Sequence, residues 1–95
     1  MANYKITEAA KEDLRRIYQR GFREYGEAQA DKYYDALFAR FEQIAENPFL
    51  YQSVDHIREG YRRSVCGVDS IYYRIVSDSV EIINVLGRQD IGEIL

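Results

Sequence analysis

The sequence predicts an α+β fold in which a short N-terminal strand and an antiparallel helical hairpin pack on a mostly antiparallel sheet, completed by a three-stranded C-terminal meander. Three observations carry that prediction. Apolar residues recur at spacings of three and four through two long segments before Pro48. After it come short extended runs separated by hairpin-sized segments rich in Gly, Ser and Asp. The 95 residues, 46% hydrophobic and 31% charged, suit one soluble core and leave no room for a second, so residues 1–95 are read as one domain.

Tyr4-Lys5-Ile6 alternates like a short strand, and Thr7 can cap a helix whose first turn carries Glu8 near the positive end of its dipole. Ala10, Leu14, Ile17, Tyr18, Phe22 and Tyr25 then form one apolar stripe, with Lys11, Arg15, Arg16 and Gln19 elsewhere. Gly26 can adopt the conformation that ends a helix, and Glu27 can open the next almost at once, which implies a hairpin of helices. The second helix carries Ala30, Tyr33, Tyr34, Leu37, Phe38, Phe41, Ile44 and Ala45, a face too wide for its sister helix alone. A sheet is the expected second layer. Asn47-Pro48 closes this helix, because proline lacks the amide donor and pushes its predecessor out of helical geometry.

Phe49 to Ile57 reads as a loop. Three extended runs follow, Gly60 to Cys66, Ser70 to Val76 and Val80 to Leu86, separated by Gly67-Val68-Asp69 and Ser77-Asp78-Ser79. Period-two alternation puts Ile71, Tyr73 and Ile75 on one face of the middle run, and Val80, Ile82 and Leu86 on one face of the last. A sheet covered by helices on a single side should show that pattern. The tail from Arg88 to Leu95 carries no clear periodicity.

No apolar run approaches the roughly 20 residues of a membrane span, and the N-terminus opens polar, so a cytoplasmic location is expected. Cys66 is the only cysteine, which excludes an internal disulfide and a cysteine-based metal cluster. Val65 beside it suggests a small buried residue. The net charge of −3 argues against the broad basic surface of a non-specific nucleic-acid binder. Charge is uneven, however: from Arg58 to Arg74 there are four arginines against Glu59 and Asp69, whereas lysine stops at Lys32. Arginine grips carboxylates and phosphates, while lysine is the more readily tuned acid or base.

The candidate binding residues follow from these features. Arg58, Arg62, Arg63, Arg74 and Arg88 form the most promising constellation, and Arg62, Arg74 and Arg88 could converge across neighbouring strands if the register allows. A solvated face with carboxylate partners is the competing account of them. Tyr33 and Tyr34 are adjacent, so both cannot point equally into the core. Phe49-Leu50-Tyr51 crowds three large apolar residues into a loop, as a satellite cluster beneath it or as part of a groove for a partner's tail. His56 is the only histidine and is expected in solvent. No Gly-rich phosphate loop, Ser/His/Asp set or metal-ligand spacing occurs.

Five stretches in this order and spacing carry a resemblance across nearly the whole chain. They are Thr7-Glu8-Ala9-Ala10-Lys11-Glu12-Asp13-Leu14, Ala45-Glu46-Asn47-Pro48, Ile57-Arg58-Glu59-Gly60-Tyr61-Arg62, Ile71-Tyr72-Tyr73-Arg74-Ile75 and Val85-Leu86-Gly87-Arg88-Gln89-Asp90. With them the sequence resembles the RelE/ParE superfamily of toxins and leans towards its ParE branch. The resemblance implies the toxin half of a toxin–antitoxin pair that uses no cofactor, inhibits DNA gyrase, and is bound by a ParD-like antitoxin in a complex with more than one copy of each chain. Toxins of this superfamily are commonly basic and this chain is acidic, so electrostatic capture of an acidic antitoxin must be local. Two alternatives stay open. One is RelE-like ribosome-dependent cleavage of mRNA, which needs a base for the 2′-hydroxyl, an acid for the leaving oxygen and cations for the transition state; the tail after Arg88 offers neither tyrosine nor histidine for it. The other is a member that only binds its antitoxin.

Overall fold

The computed structural model describes residues 3–87. Its elements run β1 (Tyr4–Ile6), α1 (Glu8–Tyr25), α2 (Glu27–Glu46), β2 (Gln52–Ser53), β3 (Tyr61–Cys66), β4 (Asp69–Val76) and β5 (Ser79–Gly87). The five strands form one sheet in the order β1-β5-β4-β3-β2. Only the β1–β5 pair is parallel, so the mostly antiparallel sheet with its C-terminal meander is as the sequence predicts.

The helix starts and stops follow local chemistry. Thr7 Oγ1 accepts from the Ala10 amide at 3.0 Å and donates to the Ile83 carbonyl at 2.8 Å, so one hydroxyl caps α1 and ties it to β5. Gly26, at φ 90°, separates α1 from α2 without a loop. The helices pack closely at Gly21, where a Cβ would meet the Ala30 methyl at 3.6 Å, an ordinary van der Waals contact.

The main core lies between the hairpin and one sheet face. Ala10, Leu14 and Ile17 of α1 and Leu37, Phe41 and Ile44 of α2 meet Cys66, Ile71, Tyr73, Val80, Ile82 and Val85. Burying such side chains is worth about 1.5–3 kcal/mol each, which is why short strands and nearly linker-free helices hold together. Burial also pushes the Cys66 thiol up in pKa, keeping it in its unreactive form.

Four expectations are corrected. Leu86 does not share a face with Val80 and Ile82. A β-bulge intervenes, because Tyr73 pairs with Ile82 whereas Tyr72 pairs with Asn84, leaving Ile83 as an extra residue. Val85 thereby takes the helix side, and Leu86 joins Tyr72 and Val54 in a second cluster, with Ile57 and Tyr61 packed against it. The sheet is thus covered on both faces, by helices on one and in part by the loop before β3 on the other. That loop is itself not wholly irregular, since Gln52 and Ser53 pair with Arg63 and Arg62 as β2. Finally, the α1 stripe runs out of core: Phe22 and Tyr25 are 49% and 71% exposed, beside the Gly26 turn that joins the helices.

The outer edge of β5 beyond β1 is closed by α1. The Thr7 amide donates to the Ile82 carbonyl and the Thr7 hydroxyl to the Ile83 carbonyl; Asp13 accepts from the Val85 amide, and Arg16 donates to the Val85 carbonyl. Side chains and a helix start thus stand where another strand would otherwise pair.

Candidate functional site

Arg62 and Tyr73 are cross-strand partners on the helix-facing side of the sheet. Both reach the loop after α2. The Tyr73 hydroxyl donates to the Pro48 carbonyl at 2.6 Å, and Arg62 Nη1 donates to the Tyr51 carbonyl at 2.7 Å. The Tyr51 ring stands edge-on to that of Tyr73, with centroids 6.4 Å apart. Pinned at both ends, the loop turns Phe49 and Leu50 outward, where they are 72% and 73% exposed. The Arg62 guanidinium sits 5.1 Å from the Phe49 ring centroid, a cation–π contact on the flank of this apolar knuckle. Phe49, Leu50 and Tyr51 do not form a satellite cluster under the loop: Tyr51 turns in towards the main core and Phe49 and Leu50 turn out, while the second cluster takes Val54 and Ile57 instead.

The other arginines do not gather with Arg62. Arg74 pairs across the ladder with Tyr61, which packs in the second cluster, so it leaves the opposite sheet face and is held by Glu81 at 2.7 Å. The strand register therefore separates Arg62 from Arg74; Arg88 lies outside the described residues. Arg63 donates to Gln52 Oε1 at 3.4 Å, and the Arg58 guanidinium lies 5.8 Å from the Tyr61 ring centroid. His56 is exposed, and among the described residues no group of three or more His, Cys, Asp or Glu could hold a metal.

Tyr33 and Tyr34 diverge as their adjacency requires. Tyr34 joins a run of aromatic contacts, edge-on to Tyr18 at 5.5 Å and against Phe38 at 5.0 Å. Tyr33 turns to the β3–β4 turn, its hydroxyl 2.8 Å from Asp69 Oδ2 and 2.9 Å from the Cys66 carbonyl, and it accepts weakly from the Val68 amide at 3.3 Å. One phenolic proton serves both acceptors in alternation. Both tyrosines line a pocket of about 330 Å³ near the Gly26 end of the helical hairpin, walled by α1, α2 and the β3–β4 turn. Asp69 lies in this wall with a fully buried side chain; Arg20 Nη2 approaches its Oδ2 only to 3.5 Å, and Oδ1 has no hydrogen-bond partner.

Asp69 and Arg20 are the residues the sequence conceals. A lone Asp in a Gly-Val-Asp turn reads as a solvated turn former, and nothing in spacing joins it to an arginine on the first helix. Only the small residues around it, which let the turn fold under Tyr33, hint at burial.

The tyrosines give the site a pH dependence. Burial, then the bond to Asp69, pushes the Tyr33 phenol well above its ordinary value, and burial pushes Tyr73 up to about 12 against the opposing charge of Arg62. Between the unfolded value near 10 and these raised values the folded state holds more protons, so stability falls as pH rises above about 10. The urea midpoint should therefore decline through this window, and less steeply in Tyr33→Phe. Equal slopes would mean that the Tyr33 phenol does not carry the effect.

The chain matches the family model described as the ParE toxin of the type II toxin–antitoxin system parDE over residues 4–92. It is 40% identical to the toxin ParE1 of Caulobacter vibrioides over 86 residues, 90% of this chain and 88% of that one. It is 28% identical to the toxin ParE1 of Mycobacterium tuberculosis over 93% of this chain and 91% of the relative. Among solved structures, the fold is similar to a chain of a chromosomal ParDE toxin–antitoxin system from P. aeruginosa, with TM-score 0.80, 18% identity and coverage of 92% and 96%. A chain of the RelBE2 toxin–antitoxin complex from Mycobacterium tuberculosis superimposes less closely, with TM-score 0.59, 21% identity and coverage of 92% and 98%. The solved ParDE chain shares the two-helix, five-stranded fold, and the near-complete family match together with the 40% identical relative shows that the chain belongs to the ParE toxins of type II toxin–antitoxin systems.

Proposed function

We propose that this toxin acts by binding rather than by chemistry, that it inhibits DNA gyrase in the cytoplasm, and that a ParD-like antitoxin neutralises it by direct contact. The gyrase target rests on membership of the ParE family. The observation that carries the binding half is the braced loop: Phe49 and Leu50 are held exposed by hydrogen bonds from Tyr73 and Arg62, and Arg62 flanks them with charge. An apolar knuckle beside an arginine has the composition of a protein–protein hot spot, and fixing it in advance lowers the entropy lost on docking.

Capture of the antitoxin in grooves of the helical layer is favoured over strand addition at the far half of β5, where Thr7, Asp13 and Arg16 already occupy the edge. No cofactor enters this reading.

A supercoiling assay with purified gyrase and antitoxin-free toxin tests the target. The expected result is lost supercoiling with linear DNA trapped in a gyrase complex, weakened about tenfold or more by joint Phe49→Ala and Leu50→Ala substitution if the knuckle is a contact. Untouched gyrase, with toxin shown to be folded, would overturn the target. Ribosome-dependent mRNA cleavage in a translation assay would then favour the nuclease alternative, and harmless expression the antitoxin-binding one.

A further inference from the structure

We infer that residues 54–60, the loop between β2 and β3, form a strap that opens away from the sheet face opposite the helices, and that the buried Tyr72 hydroxyl sets how readily it opens. The inference concerns the free toxin and does not depend on which target it binds.

Tyr72 supplies the first observation. It is fully buried, in a cluster with Val54 of the strap and Leu86 of β5, and Ile57 and Tyr61 pack against that cluster. A phenol can donate one hydrogen bond and accept others, yet among the described residues this hydroxyl meets no partner. Water would supply those bonds once the cover lifts, so the closed form bears a desolvation cost that the open form escapes. The cover that opposes this cost is small. Val54 is fully buried and Ile57 half-buried, while Asp55, His56, Arg58, Glu59 and Gly60 are exposed. Leu86 and Tyr72 are fixed in the sheet ladder, so the strap is the side that can yield.

The second observation is how the strap is built. The Ile57 and Arg58 amides both donate to the Val54 carbonyl, at 2.8 and 3.1 Å, and the Gly60 amide donates to Asp55 Oδ1 at 2.8 Å. These bonds close within the strap, which can therefore move as one piece without breaking them. At one end stands β2, only two residues long, and at the other Gly60, at φ 85° with open space where a Cβ would stand. Glycine there can change its backbone angles at little steric cost. The bond that opening must break lies at the neck, from the Val54 amide to the Tyr61 carbonyl at 2.9 Å. Opening uncovers Tyr72 and Leu86 beside Arg63, the cross-strand neighbour of Tyr72, and so gives the toxin a second form of this face.

Amide hydrogen exchange in the free toxin tests the strap. In wild type, exchange at Val54 should be faster than at Ile71 and insensitive to low urea, the mark of local opening, whereas Ile71 should respond to urea as global unfolding does. Tyr72→Phe keeps the ring and removes the hydroxyl, so Val54 exchange should slow about tenfold while staying insensitive to urea. Ile57→Ala trims the cover and should speed it about fivefold or more. Val54 exchange that follows Ile71 through urea would mean that the strap opens only with the whole fold, and would overturn the proposal. So would Val54 exchange that Tyr72→Phe leaves unchanged or speeds, or that Ile57→Ala fails to speed. The urea comparison in wild type needs no variant and decides the matter even if one of them folds poorly.

Discussion

Asp13→Ala is expected to destabilise the protein by about 3 kcal/mol, a large share of the roughly 5–15 kcal/mol available to a domain. The reason lies in the bulge. An extra residue in β5 interrupts the ladder at Ile83, and the amide of Val85 points to the sheet edge where β1 has already ended. Asp13 is buried, and its Oδ2 accepts from that amide at 2.9 Å and from Asn84 Nδ2 at 3.0 Å, while Arg16 lies 3.5 Å from its Oδ1. Alanine would leave two donors without partners, each costing about 1–3 kcal/mol. Removing a partly desolvated carboxylate returns some of that, hence the middle value. Asp13→Asn keeps one acceptor and should cost clearly less. Urea unfolding gives the stabilities, and hydrogen exchange at the Val85 amide gives the mechanism: it should accelerate in Asp13→Ala more than exchange at Ile71, its neighbour across the ladder. A loss below about 1 kcal/mol with unchanged Val85 exchange would mean that the bulge holds without its clamp.

The same bulge marks where the sequence stops being legible. The helices are readable because their order is local: Ala10, Leu14 and Ile17 repeat with the helical period, Thr7 has the hydroxyl to cap, and Gly26 and Pro48 end what precedes them. Strand alternation is equally local until one residue is inserted. Counting by twos carries Leu86 to the wrong face, and the agent that fixes the insertion, Asp13, lies 72 positions from Val85. On α1 it stands just before Leu14, where helical periodicity gives no sign that a carboxylate is buried. The arginines fail for a related reason, since residue type predicts that Arg62 and Arg74 are exposed or at an interface while only register decides that they leave opposite faces. Phe49 and Leu50 could be singled out as a crowded apolar loop. Their exposure depends on Tyr73 and Arg62 reaching across from the meander, and no local rule contains that.

Gly67→Ala should cost about 3–5 kcal/mol, and the greater part of the loss should vanish when Tyr33 is also removed. Gly67 has φ 62°, in the left-handed region where a non-glycine residue pays about 1–2 kcal/mol. Ser77 tolerates a similar φ of 57° in the β4–β5 turn, so the angle alone does not require glycine. What distinguishes position 67 is the ring above it. A Cβ there would stand 2.8 Å from the Tyr33 hydroxyl oxygen and 3.0 Å from its Cζ, closer than such atoms come. Tyr33 cannot yield freely, because its hydroxyl is held against Asp69 and the Cys66 carbonyl. Displacing it would strip the buried Asp69 carboxylate of its one close donor. The two positions form a double-mutant cycle. In wild type, alanine meets both backbone strain and the ring; in a Tyr33→Ala background only the strain of about 1–2 kcal/mol should remain. Urea midpoints of the four proteins give a coupling of about 2 kcal/mol or more on this account. A coupling near zero would reduce Gly67 to a turn former and detach the hairpin turn from Tyr33. A large one would make glycine at this turn the condition under which α2, the β3–β4 turn and the buried Asp69 carboxylate assemble into one pocket wall.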